Sequence, residues 1–110
     1  MINKLNILLK SITVPPSLTT TPTDQTVQEG NMATFHCRAT GNPTPTITWL
    51  KDGMTVGQGE TLNFKVNRND TGKYWCIADN GLHVNINASA LLDVQCKFIE
   101  ISLLTLAVIV

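Results

Sequence analysis

The sequence predicts an all-β chain folded as a two-layer antiparallel sandwich, and three observations predict it. Apolar residues recur at every second position over five stretches of the chain, and no helical stripe of useful length interrupts them. Turn signals rich in Gly, Asn and Asp separate those stretches. Two cysteines and a tryptophan fall on the apolar parity of their stretches, as two sheets packed face to face require.

Taken in order, Pro15, Pro16 and Pro22 confine the first extended segment, residues 17–20, to a sheet edge, because proline cannot donate to a ladder on both sides. A second edge segment lies at residues 26–27. Ala33, Phe35, Cys37 and Ala39 then alternate with Thr34, His36 and Arg38, the pattern of a strand with one face buried and one face wet. Ile47 and Trp49 mark the next strand, and Leu62, Phe64 and Val66 another. Tyr74, Cys76 and Ala78 form the inward set of the following strand, and Ile86, Ala88, Ala90, Leu92 and Val94 that of the last. Between them stand Gly41-Asn42-Pro43, Asp52-Gly53, Gly57-Gln58-Gly59, Asn69-Asp70-Thr71-Gly72 and Asn80-Gly81. Asn80-Gly81 is the strongest hairpin signal, since both residues tolerate positive φ and it joins two long alternating runs.

With 110 residues the chain has room for one ordinary domain. Composition divides it into an N-terminal extension, 1–13, a Thr- and Pro-rich body, 14–95, and an apolar tail, 96–110. The extension is a poor secretion signal, with Asn6 and Lys10 interrupting its leucines and no small-residue cleavage pattern behind them. The tail is apolar from Ile101 onward, about half of the 20 residues a membrane helix needs. It reads as a truncated span, a removable lipid-anchor signal, or a misassigned chain end, so membrane attachment through the tail or a missing segment stays open.

Eight basic residues balance eight acidic ones, which excludes the electrostatic footprint of a nucleic-acid binder. A partner must be recognised by shape and local chemistry, as a protein surface is. Three cysteines without a Cys-x-x-Cys pair exclude a zinc ribbon and a thioredoxin-like centre; one pair plus one leftover is the simplest partition. Cys37 and Cys76 share the inward parity, so packed sheets bring them together. A bridge between them closes a loop of about 40 residues, worth about 4 kcal/mol in the chain-entropy model. Trp49 points the same way, where its ring can cover the bridge, and Tyr74 stands two residues before Cys76, the arrangement of a tyrosine corner.

These residues, with Gly41-Asn42-Pro43-Thr44-Pro45-Thr46-Ile47-Thr48-Trp49-Leu50-Lys51-Asp52-Gly53, resemble the B–C loop and C strand of intermediate-set immunoglobulin domains. Leu62-x-Phe64-x-Val66 followed by Asp70-x-Gly72-x-Tyr74-x-Cys76 is similar to their E–F corner. The resemblance covers residues 16–94. It implies an immunoglobulin-like sandwich with Greek-key topology, in which Cys37, Cys76, Trp49, Leu62, Asp70 and Tyr74 are structural. Members of the family often pair the corner aspartate with an arginine before strand E, yet Gly57-Gln58-Gly59-Glu60-Thr61 has no basic residue there. Asp70 is therefore expected to cap its turn locally, and strands C′ and D to be minimal.

Strand parity places Lys73, Trp75, Ile77 and Asp79 on the outer face of strand F, beside Thr48 and Leu50 on C and Asn85, Asn87 and Ser89 on G. Leu50, Trp75 and Ile77 are the candidate binding face, because exposed apolar patches often mark contacts. The competing reading has Trp75 lying across a neighbouring aliphatic stem or a flanking domain. Residues 42–45 and 79–83 form a second candidate at one apex. Asn69-Asp70-Thr71 and Asn87-Ala88-Ser89 match the N-glycosylation pattern, and a glycan on Asn87 would shield part of the same face.

His36 and His83 lie far apart in strand order and lack further ligands, so no metal is expected. No nucleophile elbow, Ser-His-Asp order or phosphate-cradling loop is present, so neither catalysis nor a cofactor is expected. The sequence thus reads as a non-catalytic, extracellular or cell-surface module of a larger protein, mediating adhesion through a homophilic or heterophilic protein partner. The rivals are an intracellular titin-like scaffold domain, in whose reducing compartment a Cys37–Cys76 bridge would be rare, and a ligand-binding module of a receptor kinase.

Overall fold

Alternation of small or apolar residues with polar ones drives the chain into strands, and a computed structural model describes residues 12–82 and 84–96 of the result. The strands are β1 (Val14–Thr20), β2 (Gln25–Gln28), β3 (Met32–His36), β4 (Arg38–Asn42), β5 (Thr46–Lys51), β6 (Met54–Gln58), β7 (Thr61–Lys65), β8 (Gly72–Asp79) and β9 (Ile86–Gln95). The stretch preceding Ile12, the apolar run from Ile101 and His83, for which expectations were drawn above, lie outside the described residues.

One layer is the five-stranded sheet β2-β9-β8-β5-β6, antiparallel except where β2 runs parallel to β9. The other combines the antiparallel pairs β1-β4 and β3-β7. β3 and β4 are successive parts of one run divided at Cys37, whose N–H donates to the Glu60 carbonyl at 2.8 Å. Between β1 and β2 the chain passes from one layer to the other, and the buried Pro22 sits in that crossing, where no ladder donor is needed.

The inward parity of each strand supplies the core. Ala33, Phe35, Cys37, Ile47, Trp49, Leu62, Val66, Tyr74, Cys76, Ala78, Ala90 and Leu92 are buried, with Phe64, Ala88 and Val94 packed against them. Phe35 sits between Trp49 and Tyr74, with ring centroids 6.1 and 5.3 Å away, and Phe64 packs on Tyr74 from 5.6 Å. These tilted and offset geometries suit aromatic quadrupoles.

Two expectations need correction. The two-residue hairpin turn is at Asp52-Gly53, where φ is 52° and 77° and Lys51 faces Met54 across β5 and β6; positive φ at both central residues is what a type I′ turn requires. Asn80-Gly81 instead opens a longer connection from β8 to β9, with Gly81 but not Asn80 at positive φ. The reason is tertiary: the Asn80 amide donates to the carbonyls of Val14 at 2.9 Å and Pro43 at 3.0 Å, holding its backbone to another task.

Strand C′ is not minimal either. It is β6, five residues long and paired along β5, and it leads through Gly59 and Glu60 straight into β7, so no strand D stands between them. Trp49 explains the close approach of β6, since its indole Nε1 donates to the Gly59 carbonyl at 2.8 Å. Gly57 makes room for Leu62 at the start of β7: a Cβ there would lie 2.7 Å from the Leu62 Cδ1 atom.

Candidate functional site

A cystine, an indole and a corner turn hold the scaffold under the exposed face. Cys37 and Cys76 are disulfide-bonded across the two layers, at a sequence separation of 39, and neither is accessible to solvent. Trp49, equally buried, is the β5 partner of Cys76 in the β8 register.

Beyond β7 the backbone makes a single 3-10 turn, Arg68–Asp70. The Asn69 N–H donates to the Asn67 side chain at 2.9 Å and the Asn67 N–H to the Asp70 carboxylate at 2.8 Å, a reciprocal capping box. Asp70 thus spends its carboxylate on its own turn. The Tyr74 hydroxyl donates to the Asp70 carbonyl at 2.6 Å, and the Val94 N–H donates to the Thr71 hydroxyl at 3.0 Å, tying the corner to β8 and β9. Burial foremost, then the nearby charges of Asp70 and Asp52, push the Tyr74 phenol up to about 12, so it stays protonated and keeps donating.

Lys51 is the residue that motif reasoning missed. Its ammonium lies 5.8 Å from the centre of the Tyr74 ring, donates to the Asn69 carbonyl at 3.3 Å and pairs with Asp52 at 3.2 Å, while its side chain is only 15% exposed. A cation from the end of β5 thereby braces the corner on which no arginine precedes strand E. The signal was available, because Lys51 shares the inward parity of Ile47 and Trp49. A Cβ on Gly72 would come within 3.0 Å of the Lys51 Cε atom, so the glycine leaves this stem its path.

On the opposite side of the same sheet, Trp75 is 37% exposed. It lies between Leu50 on β5 and Ser89 on β9, while Ile77 lies between Thr48 and Asn87. Leu50 and Ile77 are half-buried, so β9, β8 and β5 present an aromatic ring between two partly accessible aliphatic chains. Lys73, paired with Leu91 across β9, holds its ammonium 5.2 Å from the Trp75 ring centre. Leu91 is 50% exposed and extends the face beyond the residues named from sequence, although its parity with Asn87 and Ser89 already implied this. Asn85 lies just outside β9. Asp79, exposed, ends the row, with its carboxylate accepting from the Gly81 N–H at 2.9 Å.

At the apex, residues 42–45 and 79–82 come together, but their amides are engaged within the chain. Asn42 donates to the Ile12 carbonyl at 2.8 Å, and Asn80 makes the two bonds given above. Both glycosylation triplets are accessible, Asn69 on the corner turn and Asn87 on β9. His36 is exposed with a ring nitrogen 3.2 Å from the Thr61 hydroxyl, and Cys96 follows β9, unpaired among the described residues. Among those residues no three His, Cys, Asp or Glu side chains cluster as metal ligands would. A surface cavity of about 450 Å³ beside β5 and β6 contains one carboxylate, Glu60, already paired with Arg38 at 2.9 Å.

Residues 15–80 match the family model of the immunoglobulin domain. Human hemicentin-1 is 42% identical over 84 residues, which is 64% of this chain and 2% of that protein. The Drosophila melanogaster cell adhesion molecule Dscam1 is 38% identical over 90 residues, 80% of this chain and 4% of its own length. The chain therefore spans only a small fraction of the relatives it matches. A crystal structure of Dpr2 Ig1-Ig2 in complex with DIP-Theta Ig1-Ig3 superposes with a TM-score of 0.68 at 38% identity, over 74% of this chain and 32% of that one. Since the matched stretch carries both bridged cysteines, the indole between the sheets and the tyrosine corner in the family's order, this chain belongs to the immunoglobulin domain family.

Proposed function

We propose that residues 14–95 form a non-catalytic recognition module that works outside the cell and holds a protein partner against the β9–β8–β5 face. The observation that carries this reading is Trp75, 37% exposed in the middle of the largest sheet and flanked by Leu50 and Ile77. Leaving an indole in water forgoes the burial that Trp49 enjoys, and a partner that covers it recovers that free energy. Aromatic residues of this kind dominate binding where they sit centrally. The adhesion proteins among the relatives, and the complex formed by a structurally similar pair of domains, support a protein as the partner.

The Cys37–Cys76 bridge supports the extracellular reading over an intracellular scaffold, because cytosolic thiols are kept reduced. Thiol counting on natively isolated protein tests this, with one free thiol expected and three contradicting it. In such a compartment Asn69, on an exposed turn away from the face, is the glycan acceptor we assign.

Beads coated with the chain, offered to the surface of cells that express it, test the face. Trp75→Ser is expected to remove most adhesion while leaving the free energy of unfolding within about 1 kcal/mol of wild type. Adhesion equal to wild type would show that the face is not the recognition surface.

A further inference from the structure

Along the outward side of β8 the residues read Lys73, Trp75, Ile77, Asp79, a cation, an aromatic ring, an aliphatic chain and an anion. The order is self-complementary about Cys76. The strand pairing extends that centre across the sheet, because Cys76 is the register partner of Trp49 on β5 and of Ala88 on β9. Thr48 and Leu50 flank the same line on β5, as Asn87 and Ser89 do on β9. We propose that this face closes on a second copy of the chain, about a two-fold axis lying in the interface and crossing the strands at Trp49, Cys76 and Ala88. The proposal rests on the reading of the face as a recognition surface and names its occupant.

Charge selects the arrangement. With the axis across the strands, Lys73 of each copy meets Asp79 of the other, Trp75 covers Ile77, Leu50 meets Thr48, and Ser89 meets Asn87. With the axis along β8 instead, Lys73 would face Lys73 and Asp79 would face Asp79, which like-charge repulsion disfavours. An isologous interface needs this kind of self-complementarity, in which each residue's contact is returned by its symmetry mate. The chain's formal net charge of zero at pH 7 removes any general repulsion between copies. Lys73 and Asp79 are both exposed, so each is available to a neighbour. Asn87 lies within the proposed contact, so a glycan there and this dimer exclude one another.

Sedimentation of the full, oxidised chain over a concentration series tests the proposal, with a monomer–dimer equilibrium expected. Lys73→Glu and Asp79→Lys should each weaken association about tenfold or more, since each places like charges at both symmetry-related contacts. Mixing the two variants in equal amounts should restore it. In the mixed dimer Glu at 73 meets Lys at 79, and the native Asp79 of the first variant meets the native Lys73 of the second. A folding defect in either variant cannot be rescued by the other in this way. A wild-type chain that stays monomeric, variants that associate as wild type does, or a mixture that remains monomeric would each overturn the proposal. So would a glycan found at full occupancy on Asn87 of the secreted chain. The bead assay with Trp75→Ser separates the two levels: a monomeric chain whose adhesion to cells still depends on Trp75 uses the face for a different protein.

Discussion

Tyr74 ties the stability of this domain to alkaline pH in a way that a single substitution exposes. Its side chain is 2% exposed and its hydroxyl donates to the Asp70 carbonyl at 2.6 Å, so ionisation would place an anion in the core and turn the donor into a second acceptor. The phenol titrates near 10 when unfolded and is pushed up to about 12 in the fold. A group raised in this direction contributes stability that is fully present below pH 10 and lost as pH rises through 12. The full contribution is about 3 kcal/mol, of which about 2 kcal/mol is gone by pH 12. Tyr74→Phe keeps the ring stacked on Phe35 and removes the hydroxyl, at a cost of about 1 kcal/mol at neutral pH for the lost hydrogen bond. The variant should therefore be less stable than wild type at pH 8, equal to it near pH 11 by the same linkage, and more stable at about pH 12. Denaturant unfolding of both proteins across this range measures the difference, and the lysines, common to both, cancel. Because Tyr74 is the only tyrosine, phenolate absorbance reports its titration directly. A stability difference that stays constant from pH 8 to 12, or a phenolate that appears at the pH of a free tyrosine, would refute the reasoning.

Lys51→Met keeps the aliphatic stem and deletes the ammonium that braces the corner, and should cost about 1 kcal/mol in denaturant unfolding, through the lost ring and carbonyl contacts. An unchanged midpoint would mean that Lys51 only fills space. Replacing both Cys37 and Cys76 by Ala reopens a loop at a separation of 39 residues and should lower stability by about 4 kcal/mol, leaving a marginal fold. Because both sulfurs are inaccessible, reductant should cleave the bridge only as fast as the native domain opens, which mass mapping under increasing denaturant will follow.

The inward residues of the major strands were legible because burial in a sheet follows a period of two, a property of the backbone that neighbouring residues share. Cys37, Trp49, Leu62, Tyr74 and Cys76 all lie on the parity read from the alternation. Trp75, Leu50 and Ile77 were legible as one outer face for the same reason, since parity that buries one residue exposes the next. Asn80-Gly81 was misread because a local preference for positive φ says nothing about a carbonyl 66 residues away in sequence, to which the Asn80 amide is bound. Lys51 was passed over because a charge is ordinarily assigned to solvent, and only the folded corner supplies the ring and the carbonyl that make a nearly buried ammonium stable.

The amino-acid sequence by itself determined that this chain forms two facing layers, which side of each principal strand is dry, and that a cystine, an indole and a tyrosine corner lie between them. Those features depend on steric and hydrophobic preferences acting over a few residues. Tertiary structure alone decided that β6 runs directly into β7 without a strand D, that Lys51 closes the corner, and that Trp49, Cys76 and Ala88 stand in one line across the sheet. Register between strands distant in the chain is set by the packing and hydrogen bonds of the closed sandwich, and no local stretch contains it.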